Sequence, residues 1–241
     1  MYTMHTQNTP GQLYLIPTVL DESALHTIPP YITETIKKCN VFMVENARTA
    51  RRFAKKLWRE MVIDEYEWLE IDETDAAVQK KMLAALQAGK QVAIISEAGC
   101  PGVADPGQSL VLIAQEKGYR VIPLVGPNSI LLALMASGMN GQHFTFHGYL
   151  PIDSVERKKK IKELETISLK ENSTQLFIET PYRNQAMLVD LINTCRDQTL
   201  LCVAADITSE GESILTQPIG AWKKATYQYH KRPAIFLLLA R

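Results

Sequence analysis

The sequence has few of the features that mark membrane-spanning, secreted or metal-binding proteins. Its apolar runs, such as Ile130–Ala136 and Ala234–Ala240, are far shorter than the roughly 20 residues of a membrane-spanning helix. Met1–Gly11 is polar and no basic residue precedes the short run Leu13–Ile16, so no signal peptide is indicated. The four cysteines include no C-x-x-C pair, which argues against a zinc ribbon and against a disulfide framework. We expect no membrane span, no metal site, and a reduced, cytoplasmic setting.

An excess of charge of either sign is also missing. Lys plus Arg and Asp plus Glu number 26 each among 241 residues, so the formal net charge is zero. Total charge therefore gives no support to a nucleic-acid partner. Hydrophobic residues make up 46% of the chain and charged residues 22%, which is the composition of an ordinary globular protein. Disorder is excluded, and the chain is long enough to bury one large core or two smaller ones.

What the chain does contain is an alternation of strand-like and helix-like segments. Leu13–Thr18 and Gln91–Ser96 are typical of buried strands, and apolar residues at helical spacing predict a helix over Ala47–Met61. The second half repeats the alternation and adds a hairpin around Gly211. Such an order favours βαβ units with mainly parallel or mixed sheets. Glycines and Pro151 cluster at mid-chain, so we predict two α/β domains, residues 1–138 and 139–241.

The most informative segment is the loop Ser96–Gly107, which follows a strand and precedes a helix. It reads S-E-A-G-C-P-G-V-A-D-P-G, and its glycines and prolines would fix a path along which backbone groups can approach a ligand closely. It contains neither G-x-G-x-x-G nor G-K-[ST], so it is neither a dinucleotide fingerprint nor a Walker A loop. In an open parallel sheet, ligands bind outside the carboxyl ends of strands. By composition alone, a purely structural connection fits the loop about as well as a binding loop.

The loop resembles the S-D-A-G-T-P-x-x-S-D-P-G signature of the ribosomal RNA small subunit methyltransferase I family, within the tetrapyrrole methylase superfamily. Four further segments resemble elements of that family in the same order along the chain. They are Pro123–Ser129 (P-L-P-G-P-S-A), Phe146–Pro151 (F-x-G-F-L-P), Phe177–Arg183 (Y-E-S-P-H-R) and Ala204–Thr208 (R-E-L-T). Five motifs in order over residues 96–208 are far more specific than one.

The resemblance implies an S-adenosylmethionine-dependent methyltransferase that forms a homodimer and uses no metal. It places the cofactor in a cleft between the two α/β domains, bound mainly by backbone groups and small side chains. Carried over by position, the cofactor-binding residues are Thr18, Gly99, Cys100, Pro101, Val103, Ala104, Asn128, Ser129, Thr180, Ala205, Pro233 and Ala234.

Departures from the family pattern leave the methyl acceptor open. Val19 stands where the family has proline in T-P-I-G-N-L, Asn46-Ala47 replaces the D-T of A-E-D-T-R, and His230–Pro233 replaces K-G-E. The cofactor loops are thus kept better than the loops expected to face the substrate. An RNA acceptor, at a ribose 2′-O of 16S ribosomal RNA, follows from the nearest family. A tetrapyrrole-type small molecule, or a catalytically silent cofactor-binding module, remain the alternatives.

Four residues are candidates for chemistry or substrate contact. Glu97, at the end of a strand, is the candidate general base for a hydroxyl acceptor, although it could also only accept hydrogen bonds from the loop. Arg48, Tyr182 and Arg183 are candidate substrate residues. Arg48 opens the run Arg48–Arg59, which holds six cations in twelve residues. That run could follow phosphates, or it could be the solvated face of an amphipathic helix.

Overall fold

The structure, a computed structural model, describes residues 10–71 and 76–241. These residues form two compact units, the first ending at Pro127 and the second spanning Asn128–Arg241. Each unit is built on its own five-stranded sheet, which confirms the predicted pair of α/β halves. In the described part of the chain, no helix combines the length and the apolar character that a membrane crossing requires.

Within residues 10–71 and 76–127 the first unit has five strands and four α-helices, with short 3₁₀ turns at Leu25–Thr27 and Ile63–Glu65. In chain order these elements are β1 (Gln12–Ile16), α1 (Tyr31–Ile36), β2 (Val41–Val44), α2 (Ala47–Leu57), β3 (Glu67–Glu70), α3 (Ala76–Gln87), β4 (Val92–Ile95), α4 (Gln108–Glu116) and β5 (Arg120–Pro123). The strands lie in the order β3-β2-β4-β1-β5, and every pair is parallel.

Apolar residues cover both faces of this first sheet, as a parallel sheet requires. Successive residues of β2 and β4 belong alternately to two clusters, because side chains point to opposite faces along a strand. Phe42 and Ile95 join the cluster that includes residues of α1 and α2. Met43 and Ile94 join the cluster that includes residues of α3 and α4. The sheet is therefore sandwiched between two pairs of helices.

Two details of the first unit differ from the sequence-based expectations. Strand β3 lies within the acidic stretch 64–75, where no strand was predicted, and residues 72–75 of that stretch lie outside the described residues. Its Trp68 stacks on Phe42 with ring centroids 4.5 Å apart, which attaches it to the edge of the sheet. Helix α2 ends at Leu57, four residues before the predicted end at Met61.

The second unit has a mixed sheet with the strand order β6-β7-β10-β8-β9. Its elements are α5 (Ser129–Ser137), β6 (Phe144–Tyr149), α6 (Ser154–Glu171), β7 (Thr174–Ile178), α7 (Asn184–Thr194), β8 (Leu200–Ala205), β9 (Ser213–Pro218), α8 (Ile219–Trp222) and β10 (Ala234–Leu239). Strands β6 and β7 are parallel, and β10 runs antiparallel to both β7 and β8. Strands β8 and β9 form the hairpin predicted around Gly211.

Helix α5 lies on the second sheet, although the sequence placed it before the domain boundary at residue 138. It packs on β8, β9 and β10, with Ala133 buried. The hydroxyl of Thr216 in β9 donates to the carbonyl of Ser137 at 2.9 Å. The compact units consequently divide before this helix, between Pro127 and Asn128.

Candidate active site

The carboxyl ends of three parallel strands meet at one edge of the first sheet. Ile16 of β1 and Val44 of β2 both pair with Ile95 of β4, so the three strands end at the same level. The residues that follow them, among them Thr18 and Glu97, consequently emerge side by side at this edge. This is the position at which open α/β sheets bind ligands.

Thr18 and Gly99, both predicted to bind the cofactor, are held against each other by an isolated antiparallel bridge. The amide of Thr18 donates to the Gly99 carbonyl at 2.8 Å, and the amide of Gly99 donates back at 3.3 Å. The Thr18 hydroxyl donates to the Ser96 carbonyl at 3.2 Å, and the Ser96 hydroxyl donates to the Gly99 carbonyl at 2.9 Å. All four hydrogen-bond donors belong to the protein itself, so the start of the loop is held in place without a ligand.

The rest of the loop presents small groups at the surface. Val103 is 44% exposed, and Ala104 next to it is also exposed. Ala104 has φ 61°, a left-handed conformation that costs a non-glycine residue roughly 1–2 kcal/mol. Pro101 is buried, and the Cys100 thiol lies 3.5 Å from the carbonyl oxygen of Pro127. Residues Gly99–Ala104 thus form one continuous surface that carries no charged side chain. We call it the Gly99–Ala104 surface.

Three carboxylates gather around this loop. The carboxylate of Glu45 accepts a hydrogen bond from the Glu97 amide at 3.1 Å. Burial, reinforced by the negative charge of Glu97, raises the pKa of Glu45. Burial, followed by the charges of Glu45 and Glu97, raises the pKa of Asp105 to about 6. The edge is thus a region of negative potential, which favours cationic over anionic ligands.

Glu97 lines a pocket of about 120 Å³ together with Thr18, Thr49 and Ser96. The Thr49 hydroxyl donates a short hydrogen bond to Oε1 of Glu97. Glu97 is exposed, and Oε1 is the oxygen that Thr49 engages. Thr49 was not among the predicted site residues. Nothing in its sequence surroundings distinguishes it, because its contact with Glu97 depends on packing α2 beside β4.

Three of the six cations of the basic run are engaged within the first unit. Arg52 and Lys56 both pair with Glu22, at 2.7 and 3.1 Å, and the Lys55 ammonium donates to the carbonyls of Arg59 and Met61. Arg59 lies beyond the end of α2, so only five of the six cations of the run belong to the helix. Within the described ranges, Arg48 has no carboxylate partner.

Asn46 stands where the family has aspartate, and it still caps the start of α2. Asn46 is the N-cap of α2, and its Oδ1 accepts from the amides of Arg48 and Thr49 at 2.9 and 3.2 Å. Asparagine and aspartate cap helices about equally well. The helix that presents Thr49 to Glu97 is therefore properly started despite the departure from the family pattern.

The second unit has its own loop edge, created by the direction of β10. Because β10 is antiparallel to β7 and β8, its beginning lies beside their ends: Ala234 pairs with Ala205, and Ile235 pairs with both Ile178 and Ala204. The Asp206 amide donates to the Pro233 carbonyl at 2.9 Å. Four predicted cofactor residues come to this edge: Thr180, Ala205, Pro233 and Ala234. Asn128 and Ser129 instead begin α5, with the Asn128 side chain accepting from Leu131 N at 3.1 Å.

Arg183 and Tyr182, the predicted substrate residues of this unit, differ in their surroundings. Arg183 donates to Oε1 of Glu179 at 2.6 Å, and the Glu179 side chain is fully buried. This hydrogen bond raises the pKa of Arg183. Tyr182 is 70% exposed. Arg183 is therefore already engaged by the protein, whereas Tyr182 presents a largely exposed ring. Across the described ranges, no group of three or more His, Cys, Asp or Glu residues is arranged to hold a metal ion.

Each unit thus has one loop edge, made in the first unit by parallel strands and in the second with the help of the antiparallel β10. The chain belongs to the tetrapyrrole (corrin/porphyrin) methylase family, whose profile matches residues 25–222. It is an S-adenosylmethionine-dependent methyltransferase. The Gly99–Ala104 surface fits this cofactor, because it exposes the small uncharged side chains of Val103 and Ala104 beside the loop backbone.

Its relatives confirm the resemblance seen in the motifs. The chain is 29% identical over 234 residues to ribosomal RNA small subunit methyltransferase I of Escherichia coli O157:H7, spanning 96% of this chain and 78% of that protein. It is 31% identical over 202 residues to the protein of the same name from Synechocystis, spanning 84% of this chain and 69% of that protein.

Solved structures show the same fold at lower identity. The methyltransferase CobJ gives a TM-score of 0.62 at 14% identity, covering 95% of this chain and 94% of that one. Uroporphyrin-III C-methyltransferase from Thermus thermophilus, complexed with S-adenosylhomocysteine, gives 0.56 at 14% identity, covering 95% and 97%. The predicted fold, enzyme class and cofactor are confirmed; the roles of individual residues stay predictions.

Proposed function

We propose that this enzyme methylates RNA of the small ribosomal subunit, at a ribose 2′-hydroxyl. The observation that carries the proposal is the pocket beside Glu97, where a carboxylate oriented by Thr49 lies next to the cofactor loop. The names of the curated relatives support RNA as the acceptor. A ribose hydroxyl is a poor nucleophile until its proton is removed, and so it needs a proton acceptor such as this one.

Bound S-adenosylmethionine supplies an electrophilic methyl group on a sulfonium. We assign Thr18, Gly99, Cys100, Pro101, Val103 and Ala104 to its binding in the first unit, with Asn128, Ser129, Thr180, Ala205, Pro233 and Ala234 in the second. The locked bridge between Thr18 and Gly99 supports this, because a surface that is already ordered loses little conformational entropy on binding. The negative potential of Glu45 and Asp105 suits a cationic ligand.

In this scheme Glu97 holds the acceptor and takes its proton. Oε1 is occupied by the Thr49 hydroxyl, which fixes the plane of the carboxylate and directs Oε2 to the acceptor. Positioning supplies much of the rate in such a displacement, since the attacking oxygen must approach in line. The Thr49 hydroxyl and the Glu45 carboxylate act through Glu97 and are positioning groups.

A small-molecule methylase is the second candidate, and one observation favours it. Arg52 and Lys56 share the single carboxylate of Glu22 at the rim of the same pocket, which leaves fewer unpaired cations for phosphates than the sequence indicated. A catalytically silent module is disfavoured by the intact N-cap at Asn46 and the ordered Glu97–Thr49 pair.

We also propose that the enzyme is a cytoplasmic homodimer. Leu131 and Met135 are one helical turn apart on α5 and are 51% and 78% exposed, so they offer an apolar surface to a second copy. Sedimentation at micromolar concentration checks this: a dimer that Met135→Glu dissociates is expected, and a parent that is monomeric contradicts it.

The experiment for the main proposal offers labelled S-adenosylmethionine, with chelator present, to small ribosomal subunits lacking the modification and, separately, to a metabolite extract. Label in RNA, at a 2′-O position by nuclease mapping, is the expected result. Label only in a small molecule overturns RNA as the acceptor. Cofactor binding in calorimetry without label in either sample would indicate the silent module.

A further inference from the structure

The loop edge of the second unit carries an exposed aromatic ring next to two basic side chains. Tyr182 follows β7, and His230 and Lys231 precede β10, so the antiparallel pairing of these strands brings them together. The ring centroids of Tyr182 and His230 are 6.2 Å apart at 73°, and the Lys231 ammonium lies 5.9 Å from the Tyr182 centroid. We call these three residues the Tyr182 platform.

The backbone beneath the Tyr182 platform is fixed from both sides. The Lys231 amide donates to the Pro181 carbonyl at 2.8 Å, which ties the two loops together. Arg232 donates to the Asp206 carboxylate at 2.5 Å and to the Gly211 carbonyl at 2.9 Å. The buried Asn184 side chain donates to the Arg232 carbonyl at 2.5 Å. Lys231 itself has φ 63°, a left-handed conformation that lysine rarely adopts.

Charge distinguishes Lys231 from its neighbours. Arg183 is paired with Glu179, and Arg232 is paired with Asp206. Lys231 has no carboxylate within ion-pair distance among residues 10–71 and 76–241. The platform therefore offers one unpaired cation beside one largely exposed ring, with its backbone already ordered. Both of its segments depart from the family pattern: Tyr182 replaces the histidine of Y-E-S-P-H-R, and His230–Pro233 replaces K-G-E.

We propose that the Tyr182 platform binds an unpaired nucleotide of the substrate RNA, its base stacked on Tyr182 and its phosphate on Lys231. This inference rests on the proposed function and adds the form of the substrate, a single-stranded segment. Sequence-specific RNA recognition uses splayed bases stacked on aromatic rings, and a lysine contacts a phosphate as a point charge. A polycarboxylate small molecule would need several free cations, whereas Arg183 and Arg232 are already neutralised.

The test measures binding of a labelled, mixed-sequence single-stranded RNA and methylation of small ribosomal subunits by the full chain. Tyr182→Ala should weaken RNA binding about 5- to 150-fold, the range seen when one base–aromatic stack is lost. Tyr182→Phe should retain most of the affinity, because it keeps the ring. Calorimetry should give the same affinity for S-adenosylmethionine in all variants, which also reports that they are folded.

Lys231→Asn separates the charge from the backbone, since asparagine tolerates the left-handed conformation. It should flatten the log–log salt dependence of RNA binding by about 0.7, the value for one phosphate contact to a single strand. Lys224→Asn is the matched control, because it removes one charge from an exposed lysine of the same unit and should leave the slope unchanged.

The outcomes separate the two proposals. If the parent methylates RNA while Tyr182→Ala binds and methylates as the parent does, the platform is refuted and the proposed function stands. If the parent neither binds nor methylates RNA, the proposed function fails and the platform with it. If Tyr182→Ala lowers methylation of a small molecule only, the ring serves that substrate and an RNA-binding platform is refuted.

Discussion

The two units build their loop edges by different means and give them opposite charge. In the first, parallel strands end together and place Glu45, Glu97 and Asp105 around the Gly99–Ala104 surface. In the second, an antiparallel β10 brings its own beginning to the ends of β7 and β8, and the segment before it contributes Lys231, which has no carboxylate partner among the described residues. The net charge of zero is therefore the sum of regions with different local charge. Composition alone could not show which region would attract a cationic ligand and which an anionic one.

The largest expected effect is on the rate of methyl transfer and concerns Glu97, at the loop edge of the first unit. Glu97→Gln should lower kcat about 10²- to 10⁴-fold, the contribution of a positioned general base, and leave the affinity for S-adenosylmethionine unchanged. Single-turnover methylation of small ribosomal subunits measures it. Glu60→Gln, at an exposed glutamate beyond α2, is the matched control. A rate for Glu97→Gln equal to that of the control would mean that the Glu97 carboxylate does not accept the proton.

The next effect tests whether the first edge depends on close backbone packing. A Cβ at Gly126 would lie 2.2 Å from Cγ and 2.4 Å from Cβ of Pro17, so Gly126→Ala forces these loops apart. We expect a loss of about 1–3 kcal/mol in the free energy of unfolding, as for other overpacked sites, measured by denaturant titration. Gly141→Ala in the second unit, where a Cβ meets nothing within 4 Å, should change stability little. Equal losses in both variants would contradict the packing argument.

A smaller effect follows from the raised pKa of Asp105, about 6 against an ordinary value near 3.9. The folded state holds this proton more tightly than the unfolded state, so ionisation destabilises the fold as pH rises from about 4 to 6. Asp105→Asn should therefore stabilise the protein at pH 7 by about 1 kcal/mol, a figure reduced because Asp105 is only half-buried and solvent screens its charge. At pH 4 the gain should vanish.

Thermal melting across pH measures this difference. Asp64→Asn, at an exposed aspartate away from the loop edge, serves as the control and should show no gain that depends on pH. If Asp105→Asn gained the same stability at pH 4 as at pH 7, the effect would come from packing and not from charge.

The smallest expected effect is on the salt dependence of RNA binding, and it tests whether the first unit also contacts RNA. Arg48→Gln should flatten the salt dependence by about 0.7 for a single strand, because Arg48 has no carboxylate partner among the described residues. Arg52→Gln should flatten it less, since Arg52 is held by Glu22. Filter binding at several salt concentrations gives both slopes. If neither variant changes the slope, α2 is a solvated face and only the second unit supplies phosphate contacts.

Periodicity and turn residues are local signals, and they predicted most of the alternation of strands and helices. The loops at each edge were predicted through the family resemblance. Strand β3 was missed, because the glutamates on either side of Trp68 and Leu69 give this segment the acidic composition of a loop. The sequence assigned α5 to the first half, because an apolar helix shows that a sheet covers it but not which sheet.

The ion pairs of α2 could not be predicted for a different reason. The partner of Arg52 and Lys56 is Glu22, thirty or more positions earlier in a loop after β1, and only the folded chain brings them together. The same holds for Thr49 and Glu97, 48 positions apart. Motifs indicate which loops meet, whereas side-chain partners depend on distances that only the packed sheet defines.

The position of β10 has a consequence for how the protein is made. Among the described elements this strand comes last in chain order, and yet it is the central strand of its sheet, between β7 and β8. During synthesis, which proceeds at roughly 5–20 residues per second, β7 and β8 cannot be joined until residues 234–239 have left the ribosomal exit tunnel. The first sheet has its own last strand, β5, at an edge, so its other four strands can pair early. The first unit is therefore expected to fold before the second, whose sheet can be completed only once residues 234–239 have emerged.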